Sequence, residues 1–165
     1  MAMGYHPQQS QLPQQPQPVS TISILLMHTL LLLLLSSFTP PPAAGLRVTF
    51  TNIKHAQGQI YVAVYDKSAD YMDSNKAKSK RILPVSAKGS LECTFPELGP
   101  GTYAISCFHD VDGNGKLDTN FVGIPSEPYG ASNNARPKFR APNWEETRFE
   151  LKNEGGTLSI RLEKW

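Results

Sequence analysis

The chain has 165 residues and a formal net charge of +2, and its 16 Lys and Arg and 14 Asp and Glu all lie beyond residue 46. That near-balance, with the basic residues scattered rather than striped, excludes an electrostatic footprint for nucleic acid. The charged part is long enough for one hydrophobic core and too short for two.

Residues 1–21 form a Gln/Pro-rich leader. Gln and Pro alternate from Gln8 to Pro18, a composition that buries no core and is expected to be disordered. Ile22 to Leu35 is apolar apart from Ser23, His28 and Thr29. As a helix its length is roughly 21 Å, against roughly 30 Å for the hydrocarbon core of a bilayer. Residues 22–45 therefore read as the apolar region of a secretory signal, with Ala43-Ala44-Gly45 as the small residues of a cleavage region. The leader carries no Lys or Arg, unlike an ordinary signal, so an uncleaved anchor over 22–35 stays as the alternative. The expected address is secreted or periplasmic, and a membrane enters only through that segment.

Residues 46–165 read as a single domain. Leu46, Val48 and Phe50 alternate with Arg47, Thr49 and Thr51, which predicts a strand over 46–53. After the His55–Gly58 turn, 59–65 is a second strand with Ile60, Val62 and Val64 on one face and Tyr61, Ala63 and Tyr65 on the other. Apolar residues on both faces suggest a central position. Residues 66–80 are polar and read as a surface loop with a helical turn. Pro84 demotes the 81–86 strand to an edge. Strands follow at 90–95 and 102–108, joined by Glu97–Gly101. Residues 121–142 are a long loop rich in Gly, Pro, Ser and Asn. Asn143 with Glu146 has the spacing of a helix cap, and strands at 148–151 and 157–162 flank Glu154-Gly155-Gly156. About seven short strands with frequent turns predict an all-β sandwich of immunoglobulin-like or transthyretin-like kind.

Cys93 and Cys107 both sit at inward positions of their strands. A disulfide and two buried free thiols are both open readings. No Cys-x-x-Cys and no Asn-x-Ser/Thr sequon occurs.

The chemistry concentrates in His109-Asp-Val-Asp-Gly-Asn-Gly-Lys-Leu-Asp-Thr-Asn120. Asp110, Asp112 and Asn114 stand at positions one, three and five of a hard-cation loop. Gly115 stands at six, Lys116 offers a backbone carbonyl at seven, and Asp118 is at nine. Calcium is the expected ion, because clustered carboxylates repel until a divalent cation offsets them. Position twelve is Phe121 and the preceding segment is β-like, so the site is not a full EF-hand. It needs one more oxygen, from Glu127 or the Asn120 side chain. An affinity of about 10⁻⁴ to 10⁻³ M is the extracellular range for such loops. An Asx-rich turn without metal is the competing reading. His109 with Asp110, and Ser132 in reach, would be the start of a hydrolase site, but no Gly-x-Ser-x-Gly elbow accompanies them. A zinc site on His109 and Asp110 lacks a second nearby histidine. In Pro128–Ala135, Asn133 and Asn134 suit left-handed backbone or side-chain bonds to backbone. His109, Tyr129, Ser132, Asn133 and Asn134 are the candidate binding residues for an envelope ligand or protein.

The acidic run, followed by Gly123-Ile-Pro-Ser-Glu-Pro-Tyr-Gly130 and Ser132-Asn-Asn-Ala135, resembles the signature of exported bacterial proteins grouped as domain-of-unknown-function family 2141. Gly58–Tyr65 and the Leu98-Gly-Pro-Gly-Thr-Tyr103 turn are similar to that family too, and the likeness runs from about Leu46 to Leu162. The resemblance implies a prealbumin-like or carboxypeptidase-regulatory-like β-sandwich and export. It brings no established activity. The cysteine pair and the Gln/Pro leader are not part of the pattern. The expected whole is an exported, non-catalytic, calcium-stabilised module at the envelope. The alternatives are a hydrolase using His109 and Asp110 or a transthyretin-like small-ligand carrier, which needs an apolar cleft.

Overall fold

The computed structural model describes residues 1, 4 and 45–164. The Gln/Pro leader and the apolar segment over 22–35 lie outside the described residues.

Among the described residues, eight strands form two sheets. β1 (Leu46–Ile53) lies between β4 (Gly89–Phe95) and β8 (Gly156–Arg161). It runs antiparallel to β4 and parallel to β8. The second sheet has the order β3 (Ser79–Pro84), β2 (Gln59–Tyr65), β5 (Gly101–Asp110), β6 (Tyr129–Ala131). β7 (Phe149–Leu151) pairs with the first residues of β5, and β6 with later ones. The fold is an all-β sandwich, with one strand more than the sequence pattern indicates. The extra strand is β6, inside the segment expected to be loop.

The alternation that predicts the strands also decides what they bury. Val48 and Phe50 of β1, Phe95 of β4 and Ile160 of β8 face Ile60, Val62 and Val64 of β2 and Ile105 of β5 in one core. Burying each such side chain stabilises the fold by about 1.5–3 kcal/mol. β2 is central, between β3 and β5, and β3 is the edge that Pro84 marks. Cys93 and Cys107 sit in different sheets, both buried and both free thiols. Burial pushes the Cys107 thiol up to about 12, so it packs as a small hydrophobe.

Among the described residues the helical content is short turns in the connections, one of them the 3₁₀ turn Ser132–Asn134 after β6. Ser68–Asp70 and Ser74–Lys76 are single 3₁₀ turns within the 66–78 loop. α1 (Trp144–Thr147) starts at Asn143, whose side chain accepts from the Glu146 amide while the Glu146 carboxylate accepts from the Asn143 amide. This reciprocal cap satisfies two amides that a helix start leaves without partners. Arg140 completes the cap by donating two bonds to Glu146, at 2.7 and 2.8 Å.

Candidate functional site

β5 runs two residues further than its alternation predicts and delivers His109 and Asp110 fully buried at its end. Gly58, in the turn before β2, lies directly against this point. A Cβ there would stand 2.0 Å from the Asp110 carbonyl oxygen and 2.9 Å from the Val111 Cα, and its φ is +75°. Only glycine has both the space and the backbone freedom for that approach.

Asp110 organises the loop that follows. Its Oδ1 accepts from the amides of Gly113 (2.7 Å) and Asn114 (3.1 Å), and its Oδ2 from the amide of Gly115 (2.8 Å). Gly113 and Gly115, at φ of +80° and +79°, turn the backbone so that these amides point inward. Burial raises the Asp110 carboxyl, but the amides of Gly115, Gly113 and Asn114 and the neighbouring Asp112 side chain together favour its charged form more strongly, and the net shift is downward. Asp112 Oδ1 accepts from the Asn114 amide at 3.1 Å.

Glu127 returns to the same place from seventeen positions along the chain. A small hairpin makes the return: Thr119 bridges Pro125, and the Ser126 amide donates to the Asp118 carbonyl at 2.8 Å. Asn120 Oδ1 accepts from the Val122 and Ile124 amides and so holds the hairpin tip. Buried Glu127 accepts from the Val111 amide at 2.7 Å and the Asp118 amide at 3.3 Å.

One carboxylate oxygen from each of Asp110, Asp112 and Glu127 lies within 4.8 Å of the others. Among the described residues, none of these three groups and not Asp118 forms an ion pair with Lys, Arg or His. The positive end of a dipole serves instead at one side: Asn114 Nδ2 donates to Asp112 Oδ2 at 3.1 Å and to Asp118 Oδ2 at 3.0 Å. The donor set is all oxygen, the chemistry of a hard cation; Asp110 Oδ1 is filled by two amides, while Asp110 Oδ2 and Glu127 Oε1, each bonded to one amide, keep a further lone pair. Asp118 stands outside the triad. Asn114 Oδ1 accepts from the Lys116 amide at 2.9 Å, so its side chain must turn over before that oxygen can face an ion.

The other expected residues lie elsewhere. His109 Nε2 is 2.8 Å from the Gln57 carbonyl. A carbonyl only accepts, so Nε2 carries a proton, and the buried Nδ1 has no partner among the described residues. The Asp110 carboxylate bonds forward into its loop. Ser132 Oγ accepts from the Ile105 amide and donates to the Thr147 carbonyl. Asn133, at φ +59°, donates to the carbonyls of Glu146 and Arg148. Asn134, at φ +53°, accepts from the Arg161 amide at 2.7 Å and donates to the Ser159 carbonyl. The three side chains thus tie β5, α1 and β8 together. Tyr129 lies under the Arg136 guanidinium, 4.4 Å from its ring centre.

A family model described as an uncharacterized protein conserved in bacteria, DUF2141, matches residues 48–159. The chain belongs to the DUF2141 family. No curated protein and no solved structure matches the chain. The DUF2141 match takes in the acidic loop, the hairpin that returns Glu127 and the Ser132–Asn134 staple. It also takes in a feature that alternation alone does not reveal. On the outer face of the second sheet, Tyr61 and Phe108 stack with ring centres 5.0 Å apart and planes 4° from parallel, beside an open depression of about 520 Å³. The available signal was the large–small–large order of Tyr61, Ala63 and Tyr65 on one strand face.

Proposed function

We propose that this DUF2141 protein is an exported, non-catalytic β-sandwich module whose acidic loop binds one Ca²⁺ ion and is stiffened by it. Its role is binding or structural, at the cell envelope or outside the cell. The observation that carries this reading is the convergence of Asp110, Asp112 and Glu127 oxygens within 4.8 Å of one another. All three accept from backbone amides, and two of them, Asp110 and Glu127, are buried as well, so little ordering opposes ion entry. Asp112 is the exposed third arm, and Asn114, Asp118 and the Lys116 carbonyl are the remaining oxygens in sequence reach. The ion would supply the positive charge that no side chain here provides.

A non-catalytic role draws support from His109, which is buried, bonded to a backbone carbonyl and turned to no surface where a substrate would meet it. Export rests on the apolar segment 22–35 and its small-residue border.

The test is a thermal melt of the protein in EDTA and in 10 mM CaCl₂, with MgCl₂ as comparison. If the dissociation constant is about 1 mM, mass action predicts about 1.4 kcal/mol of stabilisation and a rise of several degrees. Magnesium, which demands a tighter octahedral shell, should do less. Asp112→Ala, at an exposed position, should abolish the response without unfolding the domain. A melting temperature indifferent to calcium in the unaltered protein rules the ion out.

A further inference from the structure

The outer face of the second sheet is packed over at its Tyr65 end and half-exposed at Tyr61, Ala63, Ser106 and Phe108, and its register arranges the side chains in rows. Ile82, Tyr61, Phe108 and Tyr129 are successive cross-strand partners on β3, β2, β5 and β6. The next row on the same face is Lys80, Ala63, Ser106 and Ala131. One row is therefore a ridge of large side chains and the next is a trough floored by small ones. Tyr65, one row further, is packed edge-on against Tyr71, and Tyr71 against Trp144, with ring centres 5.3 and 6.1 Å apart. Tyr65 lines the second wall together with Met72 and Pro142, and Tyr71 and Trp144 back it from behind.

Both walls are fixed before anything enters. The Tyr61–Phe108 stack holds the ridge, and the Tyr65–Tyr71–Trp144 chain holds the far side. A ligand lying between them does not have to order either one. Met72 stands at the rim with 47% of its surface exposed and its backbone at φ +71°. A large non-glycine residue is held in that conformation at a cost, and such outliers gather at functional sites. The thioether is also the side chain that adapts best to an apolar partner.

The charges along the trough have one sign. Its lining includes Lys80 and Arg81 and no carboxylate. Arg81 is committed elsewhere, to Glu97 at 2.6 Å and to the Phe95 ring at 5.0 Å. Lys80 is exposed and, among the described residues, in no ion pair. The hydroxyls of the lining are those of Ser74, Ser106, Tyr61, Tyr65 and Tyr129, and the Ser106 and Tyr65 hydroxyls are paired with each other. The volume of about 520 Å³ falls within the range of small-molecule sites.

From these observations we propose that the trough binds a small flat aromatic or polycyclic acid. Its rings lie over Ala63 and Ser106 between the two walls, and its anionic group meets Lys80. This rests on the reading of the domain as a binding module but not on an ion being bound, since most of the lining comes from the sheet, with Met72, Ser74 and Pro142 beside it. Gly115 and Leu117 are the acidic-loop residues in that lining, Gly115 lying next to the Tyr61 hydroxyl.

Two fluorescent probes test it: 8-anilinonaphthalene-1-sulfonate, and N-phenyl-1-naphthylamine, which has the same rings and no sulfonate. Each is titrated into the full chain in EDTA and again in calcium, with a cooperative melt to show that the protein is folded. Saturable one-to-one binding of both probes is expected. Lys80→Glu should weaken the sulfonate by about tenfold and leave the uncharged probe within about twofold. Ala63→Trp should remove both by filling the floor. Should that variant not fold, Ile82→Glu at a 55% exposed position replaces it and should weaken the sulfonate alone. Absence of saturable binding overturns the proposal, as does equal binding by the folded floor-filled variant. Equal loss of both probes in Lys80→Glu overturns the assignment of the anion to Lys80. Because the dyes are measured without calcium as well as with it, a failed ion site leaves this result standing, and the reverse also holds.

Discussion

Two connections of this sandwich reach the same rigidity by opposite means. The loop after β5 is folded around charge: Asp110 gathers three amides, and Glu127 gathers two more. The turn after β6 is folded around neutral groups: Ser132, Asn133 and Asn134 reach two strands and a helix through hydroxyl and amide bonds alone. A charged clamp responds to protons and to cations, and a neutral clamp does neither. The difference separates a region open to regulation by solution conditions from one that only holds the frame.

The largest effect is expected where the charged loop meets the frame. Gly58→Ala puts a methyl group on the Asp110 carbonyl at a backbone angle alanine resists. A loss of about 3 kcal/mol should appear in urea unfolding. Next comes Ser132→Ala. It leaves the buried Ile105 amide without its acceptor and the Thr147 carbonyl without its donor, at about 2 kcal/mol. Nothing in that clamp titrates, so the loss should be the same at pH 4 and pH 7.

Asp110→Asn should cost somewhat less, about 1.5 kcal/mol at pH 7, because an amide nitrogen then faces a backbone N–H. Its pH dependence is the sharper measurement. Asp110 has a folded-state pKa below its ordinary value, so its stabilising contribution is present above about pH 4, the unfolded value, and disappears as pH falls through the folded one. The unaltered protein and the variant should therefore approach each other in stability as pH falls through the folded-state pKa of Asp110. Parallel curves would mean that the carboxylate charge is not what holds the loop. Glu146, lowered to about 2 by Arg140 first and the Asn143 amide second, titrates in a similar acid window, so the comparison is made against Asp110→Asn and not against pH alone.

The sequence made the sandwich legible wherever a strand was long enough to alternate. Ile60, Val62 and Val64 against Tyr61, Ala63 and Tyr65 placed β2 at the centre of its sheet, and Pro84 placed β3 at an edge. β6 escaped because Tyr129-Gly130-Ala131 is too short to show a period and sits between Pro128 and Ser132. The pairing of β1 with β8 in parallel is a long-range choice that no local pattern records. In the acidic loop, the positions of Asp110, Asp112 and Asn114 were readable from spacing. The hydrogen-bonding direction of Asn114 was not, because it depends on which amides and carboxylates surround the side chain once folded. Glu127 was readable only as a missing oxygen, since its return depends on the hairpin held by Asn120. The trough was written only in part, as the large–small–large order of Tyr61, Ala63 and Tyr65, because Ala63 and Ser106 become one floor only when β2 and β5 take this register.

The smallest expected effect separates two components of the neutral clamp. Asn134 contributes both a left-handed backbone and a side chain that accepts from Arg161 and donates to Ser159. Asn134→Gly keeps the backbone easy and removes the bonds. Asn134→Ala removes the bonds and makes the backbone costly as well. Because the position is exposed, water replaces much of what the side chain supplied, and the glycine variant should lose only about 0.5 kcal/mol. The alanine variant should lose about 1 kcal/mol more than that. Equal losses in the two would mean that the side-chain bonds, and not the chain's turn at this residue, fix β6 and β8 together. The gap between them should stay constant with calcium and with pH, and the charged clamp should show the opposite behaviour on both counts.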